Sequence, residues 1–586
     1  MLRSSLPQVR VVLAVASLLG ASCFSGCVAK PAPAPAAPVS SSPAPPQVGK
    51  PVEGQCLAPT ALSTEFYGTA DFPSQQCRSK ARDRVVRMTL EEKLGQMLQP
   101  GHDQIAQSPS DVSKRYLGSV LSGGGQGPTN PTPLEWAKLV QSYRAESLKT
   151  PLAIPILYGV DAVHGHNNVR GAVLFPHNIG LGAAGDADLV ERVARATAEE
   201  MAATSVDWTF APVMGAARDE RWGRTYETFS ETYDLAATLG AAAVRGYQGK
   251  RLGQAPGSVL ACAKHFVGDG HTGGGKDQGD AAVSDDDLER QLLPAFAAAV
   301  EAGVGSVMAS YSSVRGVKMH CHGPLLTDAL KRRLGFNGFV VSDWQALDQV
   351  QGQDYAEQLT NAINAGLDMI MHPNYYADTL LVLKAIAGTR IPMARIDDAV
   401  TRILAMKCEL GLLEPGALEP AADGTLPVRH DLLKTVGSPE HRALAREAVR
   451  RSLVLLKNEK QVLPIGKQPK RVHVAGRFAD DLGAQCGGWS IAWQGAHGAI
   501  TDGTTIRVAL EQALPKGSVT HSSDGSGAAG ADVAVAVIGE RPYAEGAGDD
   551  ADLALDPADV ATVKTLKAAG VPVVVVLLSG RPLILG

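Results

Sequence analysis

The sequence predicts an α/β protein in which an N-terminal (β/α)8 TIM-like barrel is followed by a C-terminal α/β sandwich domain. Its 586 residues exceed the size of one ordinary domain. From about residue 80 to residue 410, short apolar runs alternate with amphipathic stretches, which is the pattern of βα repeats. Residues 411–440 interrupt this pattern with several prolines and are predicted to be a linker. A second α/β alternation occupies residues 441–586.

The first 27 residues have the pattern of a bacterial export signal. Two arginines precede an apolar run at 11–19 that is too short to cross a bilayer, and small residues follow up to Cys27. The letters FSGC, which end at Cys27, resemble a lipoprotein processing box; GASC, which ends at Cys23, and a plain secretory signal are the alternatives. Residues 28–55, rich in proline and alanine, are predicted to be a tether. We expect an exported protein, a periplasmic or outer-membrane lipoprotein that contacts the membrane only through its N-terminal lipid anchor.

The eight cysteines are spread along the chain and form no CxxC pair, which argues against a zinc ribbon. In an oxidising compartment Cys56 and Cys77 are a candidate disulfide pair, although the sequence does not fix the pairing. The overall charge is nearly balanced, with 55 basic and 60 acidic residues. Such a balance does not favour a phosphate-binding surface, so nucleic acid is not expected as a partner.

Six apolar runs are predicted to be strands of the barrel, because parallel strands covered by helices on both sides are apolar throughout. Thr89, followed three residues later by Glu92, predicts a capping box at the start of a helix. The predicted strands lie at 154–158, 207–214, 259–267, 306–311, 338–341 and 367–371. The predicted helices between them include 188–203, 285–302, 324–334 and 355–365.

The second domain is predicted to contain four strands, at 471–475, 519–522, 532–538 and 571–578. Helical patterns at 505–514 and 556–568 lie between them. The chain ends a few residues after the last apolar strand. A sheet that ended there would leave an open edge, so we expect this domain to be incomplete at its C-terminus.

Polar residues follow several of the apolar runs, at the places where strands of a barrel would end. Asp161 follows one run, Lys264 and His265 end another, and Asp343 and Trp344 follow a third. The carboxyl ends of barrel strands meet on one face, where the active site of such a barrel lies. A carboxylate, a lysine and a histidine on that face predict a polar pocket suited to hydroxyl-rich ligands.

Six motifs, taken together and in this order, resemble those of glycoside hydrolase family 3, especially its exo-1,3/1,4-β-glucan glucohydrolases and β-glucosidases. The resemblance covers residues 80–586 and implies a retaining, exo-acting enzyme that releases glucose from the non-reducing ends of β-glucans. The motifs are YGVDAVHGHNN (158–168), RWGRTYETFSE (221–231), AKHFVGDG (263–270), GFVVSDW (338–344), GGWSIAWQG (487–495) and GERPYAEGAGD (539–549).

The resemblance also implies roles for individual residues. Asp343 matches the catalytic nucleophile and Glu545 the acid/base, with Glu540 as the alternative acid, and the two carboxyl groups of a retaining enzyme lie roughly 5 Å apart. The residues expected to hold the glucosyl hydroxyls are Asp161, Arg224, Lys264 and His265. Trp344 and Trp493 are expected to clamp the next sugar between their indole rings. The loop at 273–280 departs from the family pattern, and either Asp277, Gln278 or neither contacts the sugar.

Three other interpretations remain beside this one. His164 and His166 are separated by one residue, as two ligands of a metal site on a strand can be. No third ligand is evident in the sequence, so a structural role is favoured over metal binding. No metal and no cofactor is expected. Residues 268–273 spell GxGxxG, yet the glycines that follow indicate a binding loop rather than a dinucleotide site. For the function, a β-N-acetylhexosaminidase of the same family and a non-catalytic glycan-binding lipoprotein are the alternatives.

Overall fold

The structure is a computed structural model that describes residues 54–68, 71–428, 430–466 and 468–585. The predicted signal peptide, residues 1–27, and all but the end of the predicted tether lie outside the described residues. Within the described ranges, no helix combines the length and the apolar character needed to cross a membrane.

Eight parallel strands organise the N-terminal part of the chain. Six of them lie within or overlap the predicted apolar runs; the sequence analysis missed the first two. In chain order the strands are Leu98–Gln99, Ser119–Ser122, Leu157–Val160, Trp208–Thr209, Cys262–Phe266, Ser306–Ala309, Phe339–Val341 and Ile370–Met371.

These eight strands pair in three parallel sheets, which single parallel bridges join. The second, third and fourth strands form one sheet, the fifth, sixth and seventh a second, and the first and eighth a third. The bridges are Trp208–Leu260, Val341–Met369 and Gly101–Leu121. Together with them, every one of the eight strands has a parallel neighbour on each side.

Helices lie between successive strands and bury their apolar faces against them. The predicted capping box is confirmed, since the Thr89 side chain accepts a hydrogen bond from the Glu92 amide. The main helices of this part are Gln75–Val85, Leu90–Gln96, Pro133–Ser147, Asn178–Ala184, Ala187–Ala203, Tyr233–Gln248, Leu293–Glu301, Tyr355–Ala365, Tyr376–Ile386 and Met393–Glu409, with π-helical segments at Leu288–Leu292 and Pro324–Arg333.

The candidate disulfide between Cys56 and Cys77 is wrong: Cys56 pairs with Cys321, and Cys77 pairs with Cys408. The backbone explains both pairings. Residues around Leu57 lie along the 321–323 segment, where the Leu57 amide donates to the Cys321 carbonyl at 3.1 Å. Cys77 lies on the helix Gln75–Val85, which packs on the helix that carries Cys408.

Removing the Cys77–Cys408 disulfide is expected to lower the free energy of unfolding. A disulfide closes a loop in the unfolded chain, and one with a sequence separation of 331 residues closes a large one. We expect the Cys77→Ser, Cys408→Ser double variant to lose about 2–4 kcal/mol in denaturant titrations. Cys486→Ser is the matched control because Cys486 is not disulfide-bonded. Equal stability of the double variant and the control would contradict this assignment.

The C-terminal part contains a four-stranded parallel sheet. Its strands, Val519–Ser522, Val472–Ala475, Val533–Gly539 and Val573–Leu578, lie side by side in this order. All four lie where the sequence predicts them, as do the helices Ile506–Ala513 and Pro557–Ala568. Apolar side chains pack on both faces of this sheet, and the central strand Val533–Gly539 is buried throughout, whereas the edge strand Val519–Ser522 is largely polar.

The two parts of the chain meet through the loop after the strand Val533–Gly539. The Tyr226 hydroxyl donates to the Tyr543 carbonyl at 2.7 Å, and the Gly223 amide donates to Asp549 at 2.9 Å. Arg581, which is buried, donates to the carbonyls of Glu220 and Arg221 at 3.2 Å each. These hydrogen bonds hold residues 543–549 against the carboxyl ends of the N-terminal strands.

Candidate active site

A cavity of about 330 Å³ lies between the carboxyl ends of the eight strands and the C-terminal part. All eight residues to which the family resemblance assigns a catalytic or sugar-binding role line this one cavity. They come from both parts of the chain: Asp161, Arg224, Lys264, His265, Asp343 and Trp344 from the first, and Trp493 and Glu545 from the second.

Asp343 lies two residues after the strand Phe339–Val341. One carboxylate oxygen, Oδ1, accepts a hydrogen bond from the Trp344 amide at 2.7 Å. The other oxygen, Oδ2, is 3.7 Å from Nε2 of His265 and belongs to a side chain that is 15% exposed. The carboxylate is therefore fixed by its neighbouring backbone while one oxygen remains available to the cavity.

Asp161 and Lys264 form an ion pair at the base of the cavity. The Lys264 ammonium lies 2.8 Å from Oδ1 of Asp161, and the lysine and aspartate side chains are 2% and 13% exposed. Burial by itself lowers the pKa of Lys264, but the Asp161 and Glu227 carboxylates together raise that pKa above its ordinary value. The pair thus presents an acceptor and a fully charged donor to the same small volume, which suits adjacent sugar hydroxyls.

Arg224 is held in place by a second carboxylate, Glu227, through two hydrogen bonds of 2.9 Å each. Its Nη2 also lies 3.2 Å from Nε2 of His265, and His265 contacts Asp269 through its other ring nitrogen. Burial raises the pKa of Glu227, but Arg224 more than offsets this and keeps Glu227 ionised. Paired in this way, Arg224 retains its remaining N–H groups for the cavity.

Glu545 reaches the cavity from the C-terminal part and lies 3.2 Å from Nη1 of Arg224. Its backbone is left-handed, with φ of 55°. Burial raises the pKa of Glu545 to about 8 even though Arg224 opposes the shift; Glu227 and Asp343 add to it. A carboxyl group with this pKa is protonated at neutral pH and can donate a proton.

Glu540 does not line this cavity. Its carboxylate pairs with the buried guanidinium of Arg581 at 3.0 Å and accepts hydrogen bonds from the Tyr543 hydroxyl, the Ser579 hydroxyl and the Gly580 amide. These contacts hold the loop that carries Glu545. Of the two candidate acids, Glu545 alone faces the nucleophile candidate.

Two tryptophans, Trp344 and Trp493, border the mouth of the cavity. Trp493 is 44% exposed, as an aromatic side chain that stacks on a ligand would be. Residues 123–125, three glycines in a row, pass beside both indoles. A Cβ on Gly123 would lie 2.8 Å from the Trp344 ring, and one on Gly124 would lie 2.8 Å from Cα of Trp493. Glycine is therefore needed here because the backbone passes close to both tryptophans.

The two candidate sugar-binding residues of the loop at 273–280, Asp277 and Gln278, differ in their position. Gln278 lines the cavity, whereas Asp277 does not. Oδ1 of Asp277 instead accepts a hydrogen bond from the Trp222 indole at 3.0 Å, and the Asp277 amide donates to Asp549 at 2.8 Å. Asp277 therefore contacts the loop that carries Glu545 and does not face the cavity. Gln278 is the residue of the 273–280 loop that is available to a ligand.

The sequence analysis missed several residues that line the cavity. Only the three glycines after the strand Ser119–Ser122 could have been recognised from the sequence as part of the site. Three glycines directly after an apolar run indicate that the backbone approaches another group closely. The other missed residues are Leu121, Gln126, Phe210, Met308, Tyr311, Met371 and Trp489.

His164 and His166 have structural partners. The His164 ring nitrogens contact the carbonyls of Phe175 at 3.0 Å and Trp489 at 3.1 Å, and His166 contacts the Thr204 hydroxyl at 2.8 Å. In the part of the chain that the structure describes, no group of three or more His, Cys, Asp or Glu residues is arranged to hold a metal ion. In the GxGxxG stretch, Asp269 contacts His265, and the stretch is followed by a single 3₁₀ turn, Gly273–Gly275, and not by an α-helix.

Comparison with known proteins identifies the family. The model of the glycosyl hydrolase family 3 N terminal domain matches residues 89–406, and that of the family 3 C-terminal domain matches residues 453–586. The chain is 33% identical over 559 residues to the lysosomal beta glucosidase of Dictyostelium discoideum, covering 86% of this chain and 67% of that protein. It is 30% identical over 562 residues to the periplasmic beta-glucosidase of Salmonella typhimurium, covering 90% and 71%.

Among solved structures, the exo-1,3/1,4-beta-glucanase from a Pseudoalteromonas species is similar, with 40% identity and a TM-score of 0.80. The match covers 90% of this chain and 66% of that one, so the chain spans about two thirds of its relative's length. Both family domains are matched in order, and together they cover most of the described residues. The chain therefore belongs to glycosyl hydrolase family 3 and is a glycoside hydrolase.

Proposed function

We propose that the chain is a retaining, exo-acting β-glucosidase that releases glucose from the non-reducing ends of β-glucans, with Asp343 as nucleophile and Glu545 as acid/base. One observation carries the proposal: two carboxyl groups from different parts of the chain line one cavity, and burial raises the pKa of Glu545 to about 8. Similarity to an exo-1,3/1,4-beta-glucanase and to beta-glucosidases supports the substrate class.

The proposed architecture places this cavity between two domains. The eight strands, each with two parallel neighbours, support a (β/α)8 barrel within residues 80–410. Residues 411–440 would be the linker, and 441–586 the α/β sandwich domain that contributes Glu545. Ligand pockets commonly form at such a domain interface.

The chemistry follows from the two carboxyl groups. Oδ2 of Asp343 attacks the anomeric carbon as the bond to the glycosidic oxygen breaks, and protonated Glu545 gives its proton to that oxygen. Ionised Glu545 then takes a proton from water, whose oxygen attacks the anomeric carbon and releases Asp343. Asp161, Lys264, Arg224 and His265 hold the glucosyl hydroxyls during both steps.

The stereochemistry of the first product tests this proposal. Proton NMR of 4-nitrophenyl β-glucoside hydrolysis is expected to show β-glucose before mutarotation, because two displacements retain configuration. The α-anomer appearing first would contradict the retaining mechanism. Faster turnover of the 4-nitrophenyl N-acetylglucosaminide would favour the hexosaminidase alternative, and sugar binding without turnover would favour the non-catalytic one.

The indole clamp is tested by Gly124→Ala. An added Cβ would lie 2.8 Å from Trp493, so Trp493 must shift and its contact with the second sugar weaken. We expect KM for a β-linked glucose disaccharide to rise about fivefold, equivalent to about 1 kcal/mol. KM for β-glucosyl fluoride, which has no second sugar, is expected to be unchanged.

Gly466→Ala is the control for this substitution, since no atom of the described residues lies within 4 Å of an added Cβ there. A similar rise in KM for both substrates in Gly124→Ala would contradict a role of Trp493 in binding the second sugar.

For the location, we propose export followed by lipidation of Cys27, with Cys23 as the alternative site. The leader pattern supports this, as does similarity to a protein named as a periplasmic beta-glucosidase. Metabolic labelling with palmitate in a bacterial host is expected to label the full chain and not its Cys27→Ser variant. Label retained in Cys27→Ser but lost in Cys23→Ser would move the anchor to Cys23; no label in the full chain would exclude the anchor.

A further inference from the structure

The backbone amide of Asp343 donates a hydrogen bond to a buried imidazole, Nε2 of His320, at 3.0 Å. We propose that His320 is a positioning residue, which holds the backbone of Asp343 so that its carboxylate faces the anomeric carbon. This inference rests on the proposed role of Asp343 as nucleophile. No sequence motif pointed to His320, which lies 23 residues before Asp343.

The chain leaves the sheet at this point, and that is why the amide needs a partner. The Ser342 amide still donates to the Met369 carbonyl at 3.0 Å, and the Ser342 hydroxyl accepts from the Met371 amide at 2.8 Å. The next amide, that of Asp343, meets no carbonyl of a neighbouring described strand. A buried amide without a partner is costly, and His320 supplies the missing acceptor.

His320 is itself held rigidly. It is 1% exposed and lies in the turn Met319–Cys321, where the Met319 amide donates to the Ser312 carbonyl at 3.2 Å. Cys321, the next residue, is disulfide-bonded to Cys56. Burial lowers the pKa of His320 to about 4, so the ring is neutral at neutral pH and Nε2 can accept a hydrogen bond.

A second contact fixes the other side of Asp343. The Tyr311 ring packs edge-on against His320, with centroids 6.0 Å apart, and the Tyr311 hydroxyl donates to the Trp344 carbonyl. The Asp343 amide and the Trp344 carbonyl, which flank the pair Asp343–Trp344, are thus anchored to one cluster. Since Oδ1 of Asp343 is bonded to the Trp344 amide, moving this backbone moves the carboxylate.

The test is the rate of covalent inactivation by a 2-deoxy-2-fluoro-β-glucoside, which reports attack by the nucleophile. His320→Asn, whose side chain is too short to reach the amide, is expected to lower the first-order inactivation rate constant roughly 10- to 100-fold while the inhibitor dissociation constant changes little. His320→Gln, which can place an acceptor near the position of Nε2, is expected to stay within about threefold of the unsubstituted protein.

His322→Asn is the matched control. This neighbouring histidine is also buried and accepts an amide hydrogen bond, from Leu325 at 3.3 Å instead of from Asp343. If His320→Asn and His322→Asn lose rate equally, or if His320→Gln is as slow as His320→Asn, His320 serves stability alone and the inference is overturned. Absence of inactivation in the unsubstituted protein would instead overturn the proposed nucleophile.

Discussion

Asp343→Ala is expected to reduce kcat for 4-nitrophenyl β-glucoside by roughly 10⁴- to 10⁶-fold, because it removes the carboxylate proposed to form the glycosyl intermediate. The loss should be accompanied by a specific rescue. Azide added to the alanine variant can enter the vacated space and attack the anomeric carbon directly. A single displacement inverts configuration, so the product is expected to be α-glucosyl azide.

Asp348→Ala is the control for this variant. Asp348 follows Asp343 by five residues, has a side chain that is 45% exposed and contacts His372 at 3.8 Å instead of the cavity. Its removal is expected to leave kcat within about twofold, as for a surface substitution. Comparable losses in both variants, or azide rescue that gives the β-product from Asp343→Ala, would contradict the nucleophile assignment.

Glu545→Gln is expected to lower kcat/KM by a factor that depends on the leaving group of the substrate. General-acid assistance contributes roughly 10²- to 10⁴-fold, so kcat/KM for a β-linked disaccharide should fall by that factor. For 2,4-dinitrophenyl β-glucoside, whose leaving group needs no proton, kcat/KM should change little. Azide is expected to give β-glucosyl azide, because Asp343 still forms the intermediate.

The pH dependence gives a second, independent test of Glu545. Its pKa is raised to about 8, so the carboxyl group is protonated below that pH and loses its proton above it. Since the acid must be protonated to act, kcat/KM for the disaccharide should decline as the pH rises through about 8. Measured kcat/KM for Glu545→Gln should lack this decline.

Glu540→Gln distinguishes the two candidate acids. Glu540 pairs with Arg581 and bonds to Tyr543, so its substitution is expected to weaken the loop without removing the alkaline decline in kcat/KM. A profile in which Glu540→Gln, and not Glu545→Gln, lost the alkaline decline would reverse the assignment of the acid.

The site residues that the sequence located best are those in or just after clear apolar runs. Asp343 lies two residues after the strand Phe339–Val341, and Lys264 lies in the middle of the strand Cys262–Phe266. The strands that were missed are Leu98–Gln99, which has two residues, and Ser119–Ser122, which begins and ends with serine. Without the second of these, the glycines that follow it were not connected to the site.

Contacts distant in sequence could not be predicted from spacing. The disulfides join cysteines separated by 265 and 331 residues, and only the folded path of residues 54–68 and 71–85 explains them. The choice between Glu540 and Glu545 also depends on contacts that are distant in sequence, because Arg581 pairs with Glu540 and Arg224 contacts Glu545. The family motifs favoured Glu545 and left Glu540 as the alternative, because both glutamates lie in one short stretch of the chain.

Peptide mapping of the trapped glycosyl intermediate identifies the nucleophile directly. After inactivation by 2-deoxy-2-fluoro-β-glucosyl fluoride, proteolysis and mass spectrometry should find the fluoroglucosyl group on the peptide that contains Asp343. In Glu545→Gln, inactivation by this reagent should give the same labelled peptide, since fluoride departs without an acid. Label on any other carboxylate in either protein would contradict the claim that Asp343 and Glu545 act on one glycosidic bond.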